Sequence, residues 1–104
     1  MAIINTVAGT TPTTVYTSNG DSAVTFISFC NTSASPVLMT LYIVADGNSP
    51  GDDNTVIAEL EIQSKNTYEF YHGAEKIILS NGDFIAVMAS DINAITTVVS
   101  YTGL

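Results

Sequence analysis

The chain of 104 residues is 46% apolar and only 12% charged, and ten carboxylates against two lysines give it a formal net charge of −8. A chain of this mass forms one domain, exposing roughly 5,600 Å² when folded against roughly 16,000 Å² when extended. It has no arginine and no tryptophan, and Lys65 and Lys76 are its only lysines, so it lacks the charge that nucleic acids and polybasic membrane contacts require.

No apolar run approaches the ~20 residues of a membrane-spanning helix, and residues 1–6 carry no basic leader. The expectation is a soluble chain made and folded in the cytosol. From end to end, short β-rich runs alternate with turn clusters, and no window has a helical period. A strand or arm at 3–7 belongs to a segment, 1–12, set apart from a main domain at 13–104. Strands are then predicted at 13–17, 23–31, 37–45, 55–62, 67–71, 76–79, 84–89 and 94–101, separated by clusters of Gly, Pro, Asn, Asp and Ser. Those residues turn chains by supplying positive φ, presetting φ or bonding their own backbone. The expected class is all-β: an antiparallel two-sheet β-sandwich, jelly-roll or Ig-like, of about eight strands. The tetrapeptide Ser-Asn-Gly-Asp occurs at 18–21 and again at 80–83. Because the flanking residues do not align, the reading is two independent tight hairpin turns in preference to a duplication.

Within 55–62 the alternation is clean, with Val56, Ala58, Leu60 and Ile62 on one side and Ile57, Glu59 and Glu61 on the other. That pattern predicts a strand with one wet face. Other runs are apolar on both faces, among them Val37-Leu38-Met39 with Leu41-Tyr42-Ile43-Val44, and Phe84-Ile85-Ala86-Val87-Met88. Their second faces call for cover from another copy or a partner, or else from the opposite sheet and the loops. The candidate docking residues are Ile3, Ile4, Leu38, Tyr42, Val44, Tyr68, Tyr71, Ile78, Ile85, Val87 and Val98.

Reactive constellations are sparse. Cys30, the single cysteine, lies in an apolar run and reads as a small core hydrophobe. His72, the single histidine, ends a strand before Gly73 and reads as a solvated or edge-strand residue, with a pH-sensing interface role as the alternative. There is no G-x-S-x-G elbow and no phosphate-cradling glycine loop, so neither catalytic residues nor a cofactor are expected. The loop 46–54 gathers three carboxylates and two asparagines. As an EF-hand it fails, since Pro50 and Ile57 occupy ligand positions. Two readings remain: a solvated acidic turn, or a Ca²⁺ loop of another type at Asp46, Asn48, Asp52 and Asp53. Tyr68, Phe70 and Tyr71 with Tyr42 and Tyr101 would suit a sugar platform, a core rim or an interface.

One further pattern spans most of the chain after Thr13. It comprises Phe29-Cys30-Asn31-Thr32-Ser33-Ala34-Ser35-Pro36-Val37 leading into Leu41-Tyr42-Ile43-Val44, and the loop Asp46-Gly47-Asn48-Ser49-Pro50-Gly51. It continues in Leu79-Ser80-Asn81-Gly82-Asp83-Phe84-Ile85-Ala86-Val87-Met88-Ala89-Ser90 and the ending Val98-Val99-Ser100-Tyr101. In these residues the chain resembles a family of short all-β virion proteins of tailed bacteriophages; residues 2–11 match least. The resemblance implies a β-sandwich assembled in many copies on a particle in the host cytoplasm, as capsid cement or decoration or as part of a neck, tail or fibre. It implies the major capsid protein or other virion proteins as partners, and no catalytic residues. Cement at a symmetry axis would be a homo-oligomer, a trimer in the favoured case, with two heterologous faces per copy closing a ring.

Overall fold

The β-branched and aromatic runs become nine strands: β1 (Ala2–Val7), β2 (Thr13–Thr17), β3 (Ser22–Asn31), β4 (Val37–Val44), β5 (Thr55–Ile62), β6 (Thr67–Tyr71), β7 (Ile77–Leu79), β8 (Phe84–Ala89) and β9 (Ile95–Gly103). The structure, a computed structural model, describes residues 2–71 and 77–104, with Tyr71 described through its backbone. One antiparallel sheet, A, runs β1-β9-β3-β6, with β7 also on β3; the other, B, runs β2-β8-β4-β5. The long β3 is the spine of sheet A, pairing β9 on one side and β7 followed by β6 on the other.

The two sheets enclose a core in which Val24, Ile27 and Phe29 of β3 and Ile95 and Val99 of β9 meet Val37, Met39 and Leu41 of β4 and Ile85 and Val87 of β8. Each of these side chains is fully buried, and complete burial of one contributes about 1.5–3 kcal/mol. Total accessible surface is 5431 Å², close to the roughly 5,600 Å² expected for this mass. Strands with two apolar faces are therefore accommodated without unusual exposure.

Ile85 and Val87, expected at a docking face, belong to this core. Tyr42 and Val44 do lie on the outer face of sheet B, but both are buried in a small second cluster with Ala86, flanked by Phe84 and Met88. A 3₁₀ turn, Asp52–Asn54, in the β4–β5 connection packs on β4, and Asp52 and Thr55 border the same depression as Tyr42. None of these four is a free docking residue.

The alternation predicted for β5 is also corrected. Leu41 faces Ile57 while Met39 faces Leu60, so Ala58 and Glu59 together stand opposite Thr40 alone. This is a β-bulge, which re-phases the strand. Glu59 takes a left-handed φ of 50° and its N–H donates to Thr40 Oγ1 at 3.2 Å. Before the bulge Val56 is exposed and Ile57 packs on the core; after it Leu60 and Ile62 face inward. The strand has a wet face, with a different membership from the one read off the sequence.

Among the described residues one buried side-chain polar atom lacks a hydrogen bond, Thr97 Oγ1 on the inner face of β9. An orphaned buried hydroxyl keeps its desolvation penalty with nothing to offset it. Thr97→Val, which preserves the shape, is expected to raise stability by about 1 kcal/mol, read as a higher urea midpoint at unchanged slope.

Candidate functional site

The outer face of sheet A is built by strand register. Ile3, Asn5 and Val7 of β1 stand opposite Ser100, Val98 and Thr96 of β9, which face Phe26, Ser28 and Cys30 of β3. Ala23 beyond them faces Ile78 of β7. These residues alternate with the core-facing Ile27, Phe29 and Val99, so they share the opposite side of the sheet. Ile3 is 69% exposed, Ile78 61% and Val7 48%, and Phe26, Cys30 and Val98 are half-buried. Small hydroxyls fill the gaps, with Thr25 Oγ1 donating to the Ser100 carbonyl at 3.2 Å. Glu69, opposite Ser28 on β6, is the one carboxylate in these rows among the described residues.

The acidic groups lie elsewhere: Asp46, Asp52 and Asp53 in the β4–β5 connection, Glu59 and Glu61 on β5, Asp21 and Asp83 at the turns between sheets, and Asp91 after β8. The fold thus sorts its charge into an acidic sheet B side and a nearly neutral sheet A face. A nearly neutral face studded with exposed Ile and Val is suited to a partner, since among the described residues contact there involves one carboxylate, that of Glu69.

The remaining predicted residues are scattered. Ile4, opposite Val99, is half-exposed at the β1 edge, while Leu38 is exposed on the outer face of sheet B. There the Glu59 bulge separates two shallow depressions. One, of about 170 Å³, is lined by Leu38, Thr40 and Ser90; the other, of about 370 Å³, by Tyr42, Asp52 and Ala58. Tyr68 sits on β6 with its ring 6.4 Å from that of Phe29, and Tyr101 packs at 4.3 Å on Tyr16. With Tyr42 on sheet B, these tyrosines do not form a common platform. Cys30, expected in the core, is instead half-buried on the outer face of sheet A. Its apolar flanks are what made it read as internal. His72, Lys76 and the Tyr71 side chain lie outside the described residues.

The two Ser-Asn-Gly-Asp copies are where sequence reading missed most. They do not make hairpins: the first carries the chain from β2 in sheet B to β3 in sheet A, and the second from β7 in sheet A to β8 in sheet B. The two crossings lie against each other. Thr17 pairs with Phe84 in one sheet and Ser22 with Leu79 in the other. Between them Ser18 N donates to the Asp83 carbonyl at 2.8 Å, Gly82 N to the Ser18 carbonyl at 2.9 Å, and Gly20 N to Asn81 Oδ1 at 2.8 Å. Inside the first crossing Tyr16 Oη donates to Ser22 Oγ at 2.9 Å, which lies 2.7 Å from Ser18 Oγ. A repeated turn signal with matched spacing to its strands was the available clue.

Asp83 ties the second crossing to the acidic loop. Its carboxylate accepts from Asp46 N and Ser80 N, each at 2.9 Å, and these backbone donors hold its pKa below the ordinary aspartate value. A depressed folded pKa means stability that is present above the unfolded value of about 3.9 and is lost as pH falls through the folded one. The stability advantage of the wild type over Asp83→Asn should therefore be constant above about pH 5 and shrink below about pH 4, as followed by chemical denaturation across pH.

Elsewhere in the loop, oxygen atoms are occupied by the loop itself: Asn54 Oδ1 accepts from Gly51 N at 2.9 Å, and Thr55 Oγ1 donates to the Gly51 carbonyl at 2.8 Å. Asp46 is drawn to Gly82 and Asp83 while Asp52 and Asp53 stand in the 3₁₀ turn. Among the described residues no three His, Cys, Asp or Glu side chains come together as a metal group. No known family model, curated protein or solved structure matches this chain. A functional reading therefore starts from the neutral face of sheet A and the acidic one opposite.

Proposed function

We propose that this chain is a structural virion protein of a tailed phage, a capsid cement or decoration subunit that docks through the neutral outer face of sheet A. The observation that carries this reading is the separation of charge. The exposed aliphatic residues Ile3, Val7 and Ile78, with Val98 between them, lie on the side where Glu69 is the one carboxylate among the described residues, while the β4–β5 connection and β5 carry five. On a particle the neutral side packs on the major capsid protein or another virion protein. The acidic side faces solvent, where like charge keeps assembled particles apart. The resemblance in residues 29–37 and 79–90 supplies the class of partner, and the face supplies a means of holding it.

The test is sedimentation of infected-cell lysates and purified virions, with the chain detected across the gradient. It should travel with the particle at a fixed copy number. Val98→Asp, which places a carboxylate at the centre of the face, should weaken particle binding by about 30-fold, equivalent to ~2 kcal/mol, with the far-UV spectrum unchanged. A wild-type chain that stays free of capsids, necks, tails and fibres would sink the proposal; cosedimentation with tails alone would replace cement by a tail component.

A further inference from the structure

We infer that two copies of this chain associate through β1, edge to edge and antiparallel, about a two-fold axis at Asn5. Among the described residues no strand lies beyond β1 in sheet A. Ala8 N donates to the Ile95 carbonyl at 2.9 Å, in register with the β1–β9 ladder. In an antiparallel ladder, hydrogen-bonded and non-bonded pairs alternate. Thr6, Ile4 and Ala2 therefore turn their backbone groups to β9, and Ile3, Asn5 and Val7 turn theirs outward to the free edge. Soluble proteins shield such edges with Lys, Pro, bulges or short strands. Six-residue β1 has none of these.

The edge fits a second copy because its pattern is self-complementary. A two-fold at Asn5 sets Asn5 against Asn5 and Ile3 against Val7 of the second copy, so each outward N–H meets an outward carbonyl. On the neutral face the same register brings Ile3 and Val7, the two most exposed aliphatics of β1, into direct cross-strand contact. Charge selects the same place. Two chains of −8 repel over most of their surface, but residues 2–20 contain no charged side chain, so this edge is where copies meet without opposing carboxylates. The contact is isologous and closes at two copies, in place of the ring of three that cement at a symmetry axis suggests. It requires no particle and stands apart from the virion reading.

Sedimentation equilibrium on the full chain from about 1 μM to about 1 mM should give a monomer–dimer equilibrium. Asn5→Pro should abolish the dimer while leaving the melting temperature unchanged at concentrations where the wild type is monomeric, because the N–H it removes points away from β9 and proline is tolerated on such an edge. As a second measure, Asn5→Cys in a Cys30→Ser background should form a disulfide-linked dimer under mild oxidation, since a hydrogen-bonded pair sets the Cα atoms ≈ 5.5 Å apart. Thr6→Cys in the same background should not. A monomer throughout, an assembly of three, a dimer that survives Asn5→Pro, or a dimer in which Asn5→Cys fails to cross-link overturns the inference.

Discussion

Replacing Asn31 by alanine should lower the stability of this domain by about 3 kcal/mol. Asn31 closes β3 with no exposed surface, and its amide is fully used. Nδ2 donates to the carbonyls of Ser35 and Ile62, each at 2.8 Å, and Oδ1 accepts from Ser33 N at 2.9 Å and Ser33 Oγ at 2.7 Å. Its backbone continues the junction, accepting from Lys65 N and donating to the Asn66 carbonyl. One side chain thus fastens the β3–β4 connection to the end of β5. Alanine leaves the buried Ile62 carbonyl without its donor, and each buried group so orphaned costs about 1–3 kcal/mol; the groups nearer Ser33 and Ser35 regain water. Asn31→Asp sharpens the test. An ionised carboxylate would face the Ile62 and Ser35 carbonyls, so its folded pKa rises above the unfolded 3.9 and the variant loses stability as pH increases through that range. Its deficit relative to wild type should be larger at pH 7 than at pH 3.5. Urea unfolding followed by far-UV circular dichroism reads both variants, and an alanine deficit below about 1 kcal/mol would mean that water substitutes for the amide.

The strands were legible because their signals are local: runs of Val, Ile, Thr and Tyr suit a pleated, half-buried surface, and Gly, Asn, Asp and Ser end them by turning the chain. Their partners were not. A turn signal such as Ser-Asn-Gly-Asp specifies a bend, while hairpin or crossing depends on whether the next strand finds its neighbour in the same sheet. That choice is made by packing between residues far apart in the chain, as between Thr17 and Phe84. The phase of β5 failed for the same reason. Nothing in Ala58-Glu59 announces a bulge, which exists because β4 offers Thr40 alone opposite the pair.

The outer face of sheet A was half legible. An excess of apolar positions pointed to surface needing cover, and Ile3, Ile78 and Val98 do lie on the outer face of sheet A. Tyr42 and Val44 were placed outside by the same count, but the second cluster on sheet B takes them in. Alternation reports which residues share a side and is silent about what a connecting loop lies upon. The sorting of charge was hidden more deeply. In sequence Glu69 and Glu61 look alike, and only the assignment of β6 to sheet A and β5 to sheet B separates them.

Gly82→Ala should cost about 2–3 kcal/mol, and Gly20→Ala, at the same place in the first tetrapeptide, about 1 kcal/mol. Both glycines have positive φ, 89° and 73°, where a Cβ approaches the following carbonyl. Their surroundings differ. A Cβ on Gly20 meets nothing within 4 Å, whereas one on Gly82 would lie 2.5 Å from Asp46 Cγ and 2.9 Å from Asp46 Cβ. Alanine at 82 must therefore push Asp46 aside, and with it the N–H that donates to Asp83 Oδ1. The same movement strains the contact between the two crossings, because Gly82 N donates to the Ser18 carbonyl. Asp46→Gly removes the obstructing atoms, so in a double-mutant cycle the second Gly82→Ala step should fall to the Gly20→Ala value. Equal losses at 20 and 82 would mean that backbone strain alone sets the cost and that Asp46 yields freely. A larger loss at 82, relieved by Asp46→Gly, would make the acidic loop a structural brace for the sheet-to-sheet crossing.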